Sequence, residues 1–284
     1  MRVEVDFLKV SGAGNDFLLI DNLQSAWSID WPPFARAVCS RPFGVGADGI
    51  LVLEPADTAS FRMRYFNADG SYGGMCGNGG RCVARYAVER GISEANVRFE
   101  ACGRLYQGDV EGEVVTLHLP DVLAHPKAEP FQTQGNEFRQ GWLIDTGSPH
   151  VVFRIDDIHN IDVMRIGRTV RNHPLAGPSG TNVNFYQIEG DRLLLRTYER
   201  GVEAETLACG TGAVATALVS SVLDESTSPV RLQVRSGEDL YVEYIRTAAG
   251  FAGLTLKGSA HFLFPGTVLY DDKACRILSV PLHV

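Results

Sequence analysis

Two stretches decide how this chain is read: Cys76-Gly77-Asn78-Gly79-Gly80-Arg81-Cys82 and Ala208-Cys209-Gly210-Thr211-Gly212-Ala213. Each sets a cysteine immediately before a Gly-x-Gly turn that opens a helix. The helix after Cys209 contains Ala213-Val214-Ala215-Thr216-Ala217-Leu218-Val219, apolar on every face. Such a helix must be enclosed on every face. In a chain this rich in strand signals, the enclosing layer is a β-sheet. The two helices are expected over residues 79–90, stopped by Gly91, and over residues 211–223.

Working outward, each cysteine loop is preceded by a strand, Phe61–Asn67 in the first half and Leu193–Glu199 in the second. The spacing matches closely: nine residues from Asn67 to Cys76, ten from Glu199 to Cys209. This is the mark of an internal duplication. Other strands are expected at residues 17–20, 50–53, 114–119, 151–155, 184–188, 230–234, 240–244 and 254–257, with peripheral helices at 31–39 and 162–171. The Pro-rich segment His125-Pro126-Lys127-Ala128-Glu129-Pro130 reads as a linker. The expected domains are residues 1–124, with a strand at 268–284 packing back on them, and residues 131–267. The fold class is mixed α/β (α+β): two pseudo-symmetric domains, each a β-sheet wrapped around a central buried helix.

Composition narrows the function. At 284 residues, with 45% hydrophobic and 21% charged, the chain has apolar mass for two cores. A net charge of −8 without a basic block argues against nucleic acid as a partner. No apolar run approaches a membrane span, and the alternating N-terminus Met1-Arg2-Val3-Glu4-Val5-Asp6 reads as a strand and not as a signal peptide. The expected compartment is the cytoplasm, where the six cysteines stay reduced. Their use is then packing, metal binding or chemistry.

Zinc sites want Cys-x-x-Cys or clustered histidines, and neither is present, so no metal is expected. Gly44-Val45-Gly46-Ala47-Asp48-Gly49 matches a dinucleotide fingerprint in letters, but it runs into a strand and not a helix, so no such cofactor is expected. A helix N-terminus carries roughly +0.5 of an elementary charge and unpaired N–H groups. A thiol there ionises below its usual pKa of about 8.5, and the same N–H groups hold a carboxylate. An isolated Cys-Gly is usually a small buried residue. Two at matching helix starts of duplicated halves suggest stereoinversion instead. One thiolate removes a proton from a carbon, and the opposing thiol returns one on the other face. Cys39, Cys82, Cys102 and Cys275 lack this setting and read as structural.

With these loops, Gly12-Ala13-Gly14-Asn15-Asp16-Phe17, Arg41-Pro42-Phe43-Gly44-Val45-Gly46-Ala47-Asp48-Gly49, Phe66-Asn67-Ala68-Asp69-Gly70-Ser71 and Tyr198-Glu199-Arg200-Gly201, the chain resembles the diaminopimelate epimerase family over nearly its full length. The resemblance implies cofactor-independent interconversion of LL- and meso-2,6-diaminopimelate, in lysine and cell-wall precursor synthesis. It implies Cys76 and Cys209 as catalytic bases, with His150 and Glu199 as auxiliary groups beside them. Gly77, Asn78, Gly210 and Thr211 would hold the reacting carboxylate. Asn67, Asn182, Arg200 and the segment at Glu199 would read the distal end, Arg200 pairing with its carboxylate, and Asn15 would also line the site. Tyr270 resembles a family tyrosine at a dimer contact, so a homodimer is expected.

The chain departs from the family pattern in three places. Ser148-Pro149-His150 stands where many members have Asn-Pro-His, Gly49 stands where some carry glutamine, and the loop before Cys209 is one residue longer. Two rival functions are a proline or hydroxyproline racemase-type activity on the same fold, and a thiol redox protein. Arg200 with Asn67 and Asn182 favours a substrate with a second charged end. The missing Cys-x-x-Cys disfavours redox chemistry.

Overall fold

The computed structural model describes residues 2–134 and 137–278. The chain folds into two compact units, one running up to Leu117 and resumed from Ser259, the other spanning His118–Gly258. In chain order the first unit contains β1 (Arg2–Gly12), β2 (Asn15–Asp21), α1 (Trp31–Cys39), β3 (Gly49–Glu54), β4 (Phe61–Asn67), α2 (Gly77–Glu89), β5 (Asn96–Ala101), β6 (Arg104–Glu111) and β7 (Val114–His118). The second contains β8 (Lys127–Gln134), β9 (Glu137–Asp145), β10 (Pro149–Arg154), α3 (Val163–Arg171), β11 (Asn182–Glu189), β12 (Arg192–Glu199), β13 (Ala204–Thr206), α4 (Gly210–Val222), β14 (Val230–Gln233), β15 (Asp239–Thr247) and β16 (Gly250–Ser259). β17 (His261–Asp271) and β18 (Arg276–Leu278) complete the first unit.

The two units repeat one plan. In the first, β1–β2 is antiparallel, β2–β3 parallel, β3–β4 antiparallel, β4–β5 parallel and β5–β6 antiparallel. In the second, β9–β10, β10–β11, β11–β12, β12–β14 and β14–β15 follow the same alternation. Each parallel step is a crossover through a helix: α1 and α2 in one unit, α3 and α4 in the other. The duplication anticipated from the cysteine loops is therefore present strand for strand.

Alternation along the strands gives each sheet two faces. In the first unit Leu18, Ile20, Ile50 and Val52 pack with Trp31, Phe34 and Val38 of α1. In the second, Val151, Phe153, Val183 and Phe185 pack with Val163, Ile166 and Val170 of α3. The opposite face of each sheet curls round one helix. α2 touches β1 through β6, and α4 touches β9, β10, β11, β12, β14 and β15.

Enclosure explains the composition of α4. Every residue from 212 to 221 is buried, and most are small, so strands approach on all sides. The hydroxyls of Ser220 and Ser221 donate to the carbonyls of Ala217 (3.0 Å) and Leu218 (2.8 Å) of their own helix, which removes the cost of burying them. In α2 residues 78–87 are buried, including two arginines. Arg85 donates to the Ala260 carbonyl (2.5 Å), pairs with Glu113 (3.0 Å) and lies 4.3 Å from the Phe262 ring centroid. Its charge thus fastens the returning chain to the central helix.

Three boundaries differ from the sequence reading. Residues 125–130 do not link the units; they lie within the second, and residues 127–130 pair with β9. Pro130 lacks only an N–H and keeps its acceptor carbonyl, so the ladder accommodates it. The return to the first unit begins at Ser259 rather than 268, because β17 runs antiparallel to β1 from His261↔Ser11 to Asp271↔Arg2. Of the return segment expected at 268–284, residues 279–284 lie outside the described residues. The third difference matters for chemistry. α2 and α4 open at Gly77 and Gly210, directly after the cysteines, so residues 77, 78, 210 and 211 occupy the first helical turns.

Leu218 is fully buried in α4. Leu218→Ala should lower the unfolding free energy by about 2–5 kcal/mol. Chemical denaturation measures this, and a loss below about 1 kcal/mol would contradict complete enclosure of the helix.

Candidate active site

The two cysteines have nearly the same backbone. Cys76 caps α2 at φ −111°, ψ 117°, and Cys209 caps α4 at φ −130°, ψ 110°. Both are extended, as an N-cap residue must be. The Cys76 carbonyl accepts from Gly80 N (2.7 Å) and the Cys209 carbonyl from Ala213 N (2.9 Å), closing the first helical bond in each case. Cys76 Sγ accepts from Gly79 N at 3.4 Å. Cys209 Sγ lies 3.5 Å from the Thr211 hydroxyl. Cys209 is buried and Cys76 half-buried.

In the first unit, Asn15, Asn78 and Cys76 are brought together around the start of α2. Ala13 (φ 55°) and Gly14 (φ 103°) form the two-residue turn between β1 and β2, and two left-handed residues are what a tight hairpin of this twist requires. The turn delivers Asn15, whose Oδ1 accepts from Asn78 Nδ2 (2.6 Å) and whose Nδ2 donates to Asp48 (3.0 Å). Asn78 Oδ1 in turn accepts from buried Arg81 (3.0 Å). Gly12 lets β1 approach this helix start, because a Cβ there would meet the Asn78 carbonyl at 2.8 Å.

Beside this cluster, Lys9 pairs with Asp16 (2.7 Å), and Arg41 bridges Asp16 and Asp48 (2.9 Å each). Burial favours the protonated acid at Asp16, but hydrogen bonds from Arg41 and Lys9 outweigh it and hold the carboxyl below its usual range. Asn67, at the end of β4, donates to Ser71 (2.9 Å). Gly49 is sterically required. A Cβ there would run into the Phe66 carbonyl and the Tyr65 ring, which accounts for the missing glutamine.

In the second unit, His150 and Asn182 are paired in register on β10 and β11. Asn182 Nδ2 donates to the Pro149 carbonyl (3.1 Å), and its Oδ1 accepts from Arg200 N (2.9 Å). Asn182 therefore clamps the end of β10 to the residue that follows β12. Glu199 is the last residue of β12, next to Arg200. The Thr146 hydroxyl donates to the Thr211 carbonyl (3.1 Å). His150 is fully buried, and its Nδ1 lies 3.0 Å from Asn184 Nδ2. Burial pushes its pKa down to about 3, with the Arg200 charge adding to the effect, so the ring is neutral.

Asn184 and Thr197 were not among the residues singled out from the sequence. One signal is available: Asn184 follows Asn182 by two, so both sit on one face of β11, and Asn184 interrupts the apolar run of Val183, Phe185 and Tyr186. Asn184 Oδ1 accepts from the Thr197 hydroxyl (3.0 Å). It lies against α4 at Gly212, where a Cβ would collide with it and would stand 3.3 Å from Cys209 Sγ.

The remaining cysteines divide. Cys39 and Cys82 are buried, and burial pushes the Cys39 thiol up to about 12. Cys102 and Cys275 are exposed and lie outside the core; at φ 51° and 48° they occupy left-handed turn positions. Tyr270 is not a surface residue either. It is fully buried and meets the Phe34 ring edge-on at 5.0 Å, because β18 and α1 cover that part of β17. Among the described residues no group of three or more His, Cys, Asp or Glu is placed to hold a metal ion. No helix among the described residues is long and apolar enough to cross a membrane.

His150 also leaves a signature in stability. Its folded pKa lies near 3 and its ordinary value near 6.5. Between these values the unfolded chain binds a proton that the folded chain does not, so this group makes stability rise with pH over that window. His150→Leu should flatten the stability–pH curve between about pH 3 and 6.5 relative to the parent. Parallel curves from denaturation titrations would contradict a buried neutral imidazole.

The family model described as diaminopimelate epimerase matches residues 7–115 and 142–251. The curated diaminopimelate epimerase of Chlorobaculum tepidum is 42% identical, over 91% of this chain and 99% of that protein. Among solved structures, a Bacillus anthracis phenazine biosynthesis protein of the PhzF family superposes with a TM-score of 0.72 at 14% identity, covering 94% of this chain and 99% of that one. A probable proline racemase from Agrobacterium radiobacter K84 superposes at 0.70 with 15% identity, covering 92% of each chain. At such identities the structural likenesses establish the shared fold. The sequence matches go further, and with both cysteine loops inside the matched residues, the chain belongs to the diaminopimelate epimerase family.

Proposed function

We propose that this protein is an isomerase that interconverts LL- and meso-2,6-diaminopimelate, without a cofactor, by proton transfer between carbon and two thiols. The observation that carries the reading is the matched N-cap geometry of Cys76 and Cys209 in units that repeat strand for strand. One thiolate takes the α-proton: the C–H bond breaks, an S–H bond forms, and the electron pair stays on the α-carbon, delocalised into the adjacent carboxylate. The other thiol then gives its proton to the opposite face, and its sulfur becomes the thiolate. For the reverse isomer the roles exchange. The helix N-terminus favours the anionic sulfur in either role.

The α-carboxylate is assigned to the first-turn N–H groups of Gly77, Asn78, Gly210 and Thr211, which no intrahelical carbonyl can reach. Arg200 is assigned to the distal carboxylate. Asn15, Asn67 and Asn182 each spend one amide hydrogen within the protein, and each retains a second for the substrate. Asn182 also fixes the backbone at Arg200. Glu199 is assigned as an auxiliary group beside the thiols. The assignment places the enzyme in lysine and cell-wall precursor synthesis, in the cytoplasm, where thiols remain reduced. A homodimer is proposed as well, supported by the exposed Leu263 and Phe264 on β17.

A proline or hydroxyproline racemase would share the paired thiols, so the substrate panel is the test. Stereoinversion is expected with LL-diaminopimelate and not with L-proline or 4-hydroxyproline. Cys76→Ala and Cys209→Ala should each abolish epimerisation while leaving the fold intact by circular dichroism. Either variant turning over near the parental rate would refute the two-thiol assignment, and preference for proline would refute the substrate.

A further inference from the structure

The two cysteine loops rest on different material. Both sheets can be counted from the strand ends beside the loops, using Phe17↔Gly49 and Leu51↔Tyr65 in one unit and His150↔Asn182 and Asn184↔Thr197 in the other. Phe17 then corresponds to His150, Leu51 to Asn184 and Tyr65 to Thr197. Leu51 lies against Gly79, three residues after Cys76, as Asn184 lies against Gly212, three residues after Cys209. The first unit fills these places with apolar contacts, Phe17 meeting Tyr65 edge-on at 5.7 Å. The second fills them with a buried polar chain. Since the apolar solution exists on the same scaffold, packing does not require the polar one.

Hydrogen-bond direction along that chain is determined. Asn184 Nδ2 lies 3.2 Å from the Val151 carbonyl, which can only accept, so the amide orientation is fixed. Its oxygen then accepts from Thr197 (3.0 Å), and its second hydrogen points to His150 Nδ1 (3.0 Å). Nδ1 must therefore carry a lone pair, and the ring proton sits on Nε2. That atom is sealed from solvent and has no hydrogen-bond partner among the described residues. A buried N–H left without an acceptor is destabilising, and a bound anion would relieve it.

We propose that Asn184 is a positioning residue that locks His150 as the Nε2–H tautomer, so that His150 serves as a hydrogen-bond donor to an anionic oxygen of the substrate. This deepens the epimerase reading and rests on it for the identity of the anion. It also revises the role expected from the sequence. With Nδ1 committed to Asn184 and a proton on Nε2, His150 has no lone pair with which to accept a proton from a thiol. Its depressed basicity agrees.

The test reads the ring directly. In protein with 15N-labelled histidine, His150 should show the neutral Nε2–H pattern from about pH 5 to 9, a range in which an ordinary histidine titrates. The Nδ1–H pattern, or a charged ring at pH 6, would overturn the proposal whether or not the protein turns over diaminopimelate. Asn184→Asp replaces the donor by a carboxylate, which can only accept. It should move the proton to Nδ1 and raise KM for diaminopimelate at least tenfold, with a smaller change in kcat. Asn184→Leu, the residue type of the other unit, should leave the fold intact and a mixture of tautomers. An unchanged Nε2–H ring in both variants would remove Asn184 from the role. A moved proton with unchanged KM would remove His150 as a substrate donor, while leaving the two-thiol assignment to its own test.

Discussion

A helix enclosed on all sides by sheet has one chemically available end, and the rest of this structure depends on that constraint. The flanks of α2 and α4 are taken up by packing. What remains is the first turn, where N–H groups have no intrahelical acceptor and the helix dipole presents its positive end. A cysteine at the N-cap then has its sulfur beside the positive end and its following N–H groups free for an anion. The glycines at 77, 79, 210 and 212 are part of this arrangement. At 79 and 212 a Cβ would press on Leu51 and Asn184, so the strands could not approach the thiol so closely.

Duplication supplies the second thiol, and divergence supplies the difference between the two. The sheets keep the same sequence of parallel and antiparallel steps, which preserves the position of each helix start. In the first unit the places beside the helix start hold Leu51, which lies against Gly79, and the Phe17–Tyr65 pair. In the second unit the corresponding places hold Asn184, which lies against Gly212, with His150 and Thr197, every side-chain group of the asparagine being satisfied. These hydrogen bonds fix one orientation of the asparagine, while Nε2 of His150 stays buried without a partner among the described residues. The two thiols are thereby equal in backbone geometry and unequal in surroundings.

Much of this was legible in the sequence, for identifiable reasons. The all-apolar run at 213–219 required enclosure, and Cys-Gly-x-Gly marked both helix starts. α1 was found to the residue because Pro32 and Pro33 suit a first turn and Trp31, Phe34, Ala35 and Val38 form one face. Other features were not legible. Pro126 and Pro130 imitate a linker although residues 127–130 join a ladder, since pairing with β9 is a long-range decision. Tyr270 reads by resemblance as a dimer-contact residue, because nothing local reveals that β18 and α1 cover it. Cys102 and Cys275 looked like core residues because composition cannot show a left-handed turn. Asn184 is marked in the sequence only by its two-residue spacing from Asn182, which is no motif. Its role exists only through the Val151 carbonyl, the Thr197 hydroxyl and the His150 ring.

The central claim is that two distinct thiols exchange protons with the two faces of one carbon. Initial turnover of a single diaminopimelate isomer in deuterated water tests it most directly, with deuterium at the α-carbon followed in product and in recovered substrate. The account predicts early deuterium in the product pool and none in the substrate pool, because the abstracted proton and the delivered one reside on different sulfurs. Equal early labelling of both pools would contradict it and point to one shared base.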